Sequence, residues 1–180
     1  MKIPAAAILV AFTLVCVPES SRAQDAARQP GWHDDLVDHM AGRWNLEGTL
    51  LGSPAHHTVT AEWILNHQFL RLIEKTSATA PASEAKYEAH WFIGYDAVSE
   101  RYVTHLLDVL GARDSETLGY GTRRGNSIAF VFEYPDGPFH TTFEWLPQEN
   151  AWHWLLEQKD ESGKWSMFGD VKLTRADASR

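Results

Sequence analysis

Beyond Gly42, apolar residues recur at every second position for the rest of the chain, and no other feature constrains the fold as much. A period of two sends successive side chains to opposite faces, so each segment has one face to bury and one to wet. The later segments show it most clearly. Ile128, Phe130, Phe132 and Tyr134 share a face, as do Phe139, Thr141, Phe143 and Trp145. Trp152, Trp154 and Leu156 follow, then Trp165, Met167, Gly169, Val171 and Leu173. The opposite positions carry His140, Glu144, His153, Glu157, Asp170 and Lys172.

This pattern predicts ten strands, at about 43–50, 55–65, 67–76, 86–94, 100–107, 113–122, 127–134, 138–146, 151–159 and 164–174. Turn chemistry separates them at Gly52-Ser53-Pro54, Asn66-His67, Pro135-Asp136-Gly137-Pro138 and Glu161-Ser162-Gly163. Most links are short, so neighbours pair as antiparallel hairpins. Ser77 to Ala85 is longer and reads as a surface loop. An even number of hairpin-linked strands closes into an all-β, up-and-down antiparallel barrel, which removes both edges. At this strand count the interior is wider than side chains must fill, leaving room for a ligand. The charged outer faces are wrong for a barrel that meets lipid.

Upstream of the strands the pattern differs. Lys2, the apolar run Ala5 to Val17 and the small residues Ser21 and Ala23 read as a signal peptide over residues 1–23. The run is too short for a spanning helix, which needs ~20 residues. Cys16 is the chain's single cysteine, and Val15 before it argues against a lipobox. Cleavage after Ala23 removes that thiol and with it cysteine chemistry. The mature chain then carries a net charge of about -9, suited to an exported, periplasmic or secreted protein and not to nucleic acid. Residues 24–31 read as a flexible leader and 32–176 as one barrel domain. Within it, Trp32, Leu36, Val37 and Met40 fall near one face at helical spacing, with Asp34 and Asp35 at the start and Gly42 at the stop. That predicts a short N-terminal helix.

Gly42-Arg43-Trp44 opens the first strand, and Arg175 closes the last in Val171-Lys172-Leu173-Thr174-Arg175. This resembles the lipocalin/calycin signature, in which a basic residue from the last strand stacks on the Trp and seals one barrel end. Phe69-Leu70-Arg71, Ile93-Gly94-Tyr95-Asp96, Arg101-Tyr102-Val103 and Asp108 resemble an exported bacterial family of unknown function with a calycin-like barrel. The similarity spans roughly residues 34–175. The chain departs from that family at Thr104-His105-Leu106-Leu107, where members often carry Trp. The resemblance implies a fold and brings no established activity.

The expected function is to bind a small hydrophobic or amphipathic molecule inside the barrel. Candidate lining residues are Trp91, Phe132, Phe143, Trp145, Trp154 and Met167, with Arg71 and His105 as orienting polar groups. Strand three is apolar on both faces, so parity does not decide which way Arg71 points. The alternatives are an enzyme in the same cavity, using His105 with Asp108 or Arg71, and an interaction scaffold with a filled interior. No cofactor motif is present, with neither a phosphate-cradling glycine loop nor a nucleophile elbow. No metal site is expected among the nine histidines. His56 and His57 are adjacent on a strand and face opposite ways, His33 and His39 are six apart on a helix, and no His-Glu-x-x-His occurs. His90 and His105 lie on neighbouring strands within reach of the interior.

Overall fold

In the computed structural model, residues 30–160 and 162–176 are described. The proposed signal peptide and most of the leader lie outside them. Ten antiparallel strands close on themselves. They are β1 (Gly42–Leu50), β2 (Ser53–Ile64), β3 (Phe69–Thr76), β4 (Glu88–Asp96) and β5 (Arg101–Asp108), then β6 (Leu118–Arg124), β7 (Ser127–Tyr134), β8 (Gly137–Leu146), β9 (Ala151–Lys159) and β10 (Trp165–Arg175). Each strand pairs with its sequence neighbours, and β10 pairs with β1 through Trp44 opposite Arg175 to Leu50 opposite Gly169. Sequence reading places the sixth strand too early. Residues 112–114 form a 3-10 turn, and β6 starts at Leu118.

One end of the barrel is sealed by chain that precedes β1. Asp34 caps a single helical turn, α1 (Asp35–Asp38), by accepting from the backbone N–H groups of Leu36 and Val37 at 2.9 and 3.0 Å. Leu36, Val37 and Met40 are buried against the barrel core. Arg123 on β6 donates to Asp34 and Asp35, and the Tyr102 hydroxyl on β5 donates to Asp34. Trp32 donates from its indole N–H to the Gln68 carbonyl at 2.8 Å and lies edge-on to Trp63.

Beside this plug the interior is packed solid. Trp44, Trp152, Phe130, Phe132, Phe143, Leu70, Leu72 and Ile93 are all fully buried. Two glycines on β6 make this density possible. A Cβ at Gly119 or Gly121 collides with the rings of Phe132 and Phe130, which fold over the bare backbone opposite them. The connections at this end are tight turns. The longer links, Ser77 to Tyr87 and Val109 to Glu116 among them, lie at the other end.

Candidate functional site

At the end away from α1 the barrel is hollow. A pocket of about 990 Å³ opens between the ends of β1, β3, β5, β7 and β9 and the starts of β2, β4, β8 and β10. Its floor and walls are apolar: Leu46, Ala55, Trp91, Leu106, Trp154, Leu156, Phe168 and Val171. Part of the rim is apolar as well, with Leu51, Val109 and Leu110 lining the mouth while standing 59–70% exposed, beside the charged Lys86 and Asp136. The indole N–H groups of Trp91 and Trp154 find no acceptor among the described residues, although both are buried. Such donors are uncommon in a folded chain.

A polar cluster interrupts this apolar lining at one side. His57 on β2 and Glu74 on β3 both point inward and are 5% and 3% exposed. His57 Nδ1 lies 2.6 Å from Glu74 Oε1. Loop residue Glu84 lies 3.4 Å from His57 Nε2 through its Oε1. The same carboxylate accepts from the His56 backbone N–H at 2.9 Å and pairs with His56 Nδ1 at 3.0 Å. The β2–β3 ladder ends at His57 opposite Thr76, so the His56 N–H is the first one without a strand partner on that side. Glu84 takes the place of the missing strand. This fastens the Ser77–Tyr87 loop along the mouth, where Pro81, Ser83 and Ala85 join the lining.

Tyr87 completes the cluster. Its ring stacks on His57 at 5.7 Å between centroids, and its hydroxyl donates to Asp108 Oδ2 at 3.1 Å. Burial first, then the negative charges of Glu74 and Asp108, push its phenol well above the ordinary value of 10.0. Glu84 moves the other way. Burial raises its carboxyl, but the His56 backbone and ring hydrogen bonds, with the charges of His56 and His57, outweigh that and hold it below 4.5.

Several expected lining residues lie elsewhere. Arg71 is on the outer face, paired with Glu62 across the β2–β3 ladder, because Leu70, Leu72 and Glu74 take the inward positions of β3. His105 is also outward, its Nε2 2.6 Å from the Ser115 carbonyl, because Tyr102 and Thr104 occupy the buried phase of β5. His90 is outward beside Glu88. Met167 is 56% exposed, because the β9–β10 register shifts between Met167 and Gly169 and turns the strand over. Phe168 therefore points in where Met167 was expected. Phe132, Phe143 and Trp145 are buried but lie below the pocket floor, in the packed half. Of the eight residues, Trp91 and Trp154 line the cavity.

Sequence reading missed His57, Glu74, Glu84 and Tyr87. The signal was one of phase. His57 alternates with Ala55, Val59 and Ala61, and Glu74 alternates with Leu70 and Leu72, so each is a polar residue in step with an apolar face. His56 and His57 do face opposite ways, yet one carboxylate reaches both because it arrives from the loop.

At the sealed end, the Arg175 guanidinium lies 3.8 Å over the Trp44 ring. Also near this end, His33, Asp38 and His67 bring donor atoms within 4.8 Å of one another, with His33 and Asp38 exposed. Among the described residues, no helix is long and apolar enough to cross a membrane. No family model matches the chain, and no curated protein matches it.

Proposed function

We propose that this chain is an exported, calycin-like barrel that takes a small, mainly apolar ligand into its open end. The observation that carries the reading is the division of the interior. One half is filled by fully buried side chains, while the other holds about 990 Å³ of space walled by Leu46, Trp91, Trp154, Leu156 and Val171. Ligand pockets of roughly 300–1,000 Å³ have this character, largely apolar with a few convergent polar groups. The exposed Leu51, Val109 and Leu110 at the rim give an apolar molecule a path from water into the cavity. The Gly42-Arg43-Trp44 start and the Arg175 stack support the calycin-like assignment, and the residue 1–23 pattern supports export.

The enzyme alternative built on His105 with Asp108 or Arg71 loses its geometry, since His105 and Arg71 are on the outer face while Asp108 lines the pocket. The filled-scaffold alternative describes only the sealed half.

Titration with fatty acids, small aromatics and porphyrins, followed by Trp fluorescence, tests the reading. Trp91 and Trp154 at the pocket floor should change emission as the ligand displaces water. Ala55 is buried in the pocket wall, so Ala55→Trp should put an indole into the space and weaken saturable binding while far-UV circular dichroism keeps the strand signal. If no compound binds, or if Ala55→Trp binds like the parent, the pocket reading fails.

A further inference from the structure

We propose that the pocket selects amphipathic ligands with a cationic head, a protonated amine above all, and that Glu74 is the residue that receives it. The inference rests on the pocket reading and specifies its polar end. Among the groups that line the cavity and are turned away from bulk water, the acids outnumber the bases. Glu74, Glu84 and Asp108 supply three carboxylates, against the buried imidazole of His57 and the more exposed one of His56, which Glu84 already pairs. The other cations of the lining do not offset them from inside. Lys86 is exposed at the mouth, and Lys159 points its ammonium toward the outer-face ring of Trp165, 5.7 Å away.

The acids differ in how far they are already used. Both Glu84 oxygens are bonded to His56. Both Asp108 oxygens are bonded as well, Oδ1 accepting from the Leu110 N–H and Oδ2 from Tyr87. Glu74 is bonded through Oε1 alone, and its Oε2 has no hydrogen-bond partner among the described residues. It is 3% exposed, lines the cavity, and lies across His57 from the half-buried Glu84 carboxylate. Glu74 Oε2 is not among the enclosed unpaired atoms of the described residues, so it opens on the cavity, where a donor, best of all a charged one, can reach it. An ammonium supplies three donors and a positive charge. An alcohol supplies one donor, and a carboxylate adds a like charge to the cluster.

The apolar floor formed by Trp91, Trp154 and Leu156 suits the tail, so the head is set at the side of the mouth and the tail runs down.

The test compares decylammonium, decanol and decanoate at equal chain length and physiological salt, by isothermal titration calorimetry on the full mature chain. Methylammonium, which carries the charge without the tail, controls for surface adsorption by an acidic protein. Decylammonium should bind about tenfold or more tighter than decanol, with decanoate weakest. Glu74→Gln should bring the three within about threefold of one another, since a neutral amide keeps the shape and loses the charge. Equal affinities in the parent, or a preference for decanoate, overturn the inference and leave the pocket standing. Binding by none of the three overturns both. An unchanged amine preference in a folded Glu74→Gln overturns the assignment to Glu74. If that variant does not fold, Glu74→Met, which keeps the bulk and leaves no polar oxygen to satisfy, should narrow the same gap, and a full tenfold preference there overturns the assignment to Glu74.

Discussion

Arg175 holds three things at once at the sealed end of the barrel. Its guanidinium lies over Trp44, donates to the Ala41 carbonyl at 2.7 Å, and donates to the His39 carbonyl at 2.9 Å. The His39 carbonyl stands at the C-terminal end of α1, a group that a helix leaves unpaired, and the Ala41 carbonyl lies in the turn into β1. Trp44 in turn donates its indole N–H to the Met40 carbonyl at 2.8 Å. Gly42 makes room for this arrangement. Its φ is +127°, and a Cβ there would run into the Arg175 guanidinium. Arg175→Ala should therefore cost about 1 kcal/mol through lost stacking. Gly42→Ala should cost more, about 1–3 kcal/mol, from backbone strain added to the displaced guanidinium. The two are not independent. In the double variant the side chain that Cβ collides with is gone, so the combined loss should be smaller than the sum. Guanidinium unfolding of the four proteins measures this, and strict additivity would show that Gly42 is not there for Arg175.

The elements that surround the mouth were the hardest to read from sequence, and each for a definable reason. In β3, Phe69-Leu70-Arg71-Leu72-Ile73 is apolar in both phases, so the inward position of Glu74 was hidden until the register was known. In β10 the alternation was clear from Val171 onward, but the irregularity between Met167 and Gly169 reversed it upstream, and the isolated Gly169 was the one signal of a bulge there. The Ser77–Tyr87 loop was legible as a loop and not as a wall of the pocket. What makes it one is Glu84, whose partners lie about thirty positions away in β2. Its chemistry gives the loop a pH dependence. The Glu84 carboxyl is held below its ordinary 4.5 by His56 and His57 despite burial. A lowered carboxyl favours the fastened loop above that ordinary value, and the fastening is lost as pH falls through the lowered one. Glu74, on the far side of His57, stays with the barrel and does not move with the loop. Amide hydrogen exchange across residues 77–87 should be slow at neutral pH and should accelerate relative to the β7–β9 amides on acidification below 4.5. Glu84→Gln should show the fast exchange at neutral pH already. Loop protection that persists unchanged in acid would mean that Glu84 does not fasten it.

At the scale of the whole molecule, a single barrel is divided between two tasks, and the division follows the chain. Only short turns and α1 lie at one end, with Trp44, Trp152, Phe130 and Phe143 packed behind them. The long links lie at the other, around space that those rings do not enter. The ten-strand closure was legible because alternation survives in every strand that has one wet face. The split of the interior was not, because inward phase says that a ring is inside and not how deep. Phe132 and Phe143 share their phase with residues of the pocket wall and still lie beneath it. Stability and binding should therefore separate along the barrel axis. Phe130→Ala, in the packed half, removes a fully buried ring that closely spaced neighbours cannot replace, and should cost about 3–5 kcal/mol. Leu110→Ser at the rim exposes nothing new, since Leu110 is already 70% exposed, and should change stability by less than about 0.5 kcal/mol. The same rim substitution should weaken uptake of an apolar ligand, because it interrupts the path from water to floor. Denaturant unfolding paired with ligand titration on both variants reads the two quantities separately. If the rim variant loses as much stability as the core variant, the hollow end is bearing load like a core, and the partition of the barrel into a sealed foundation and an open receptacle is wrong.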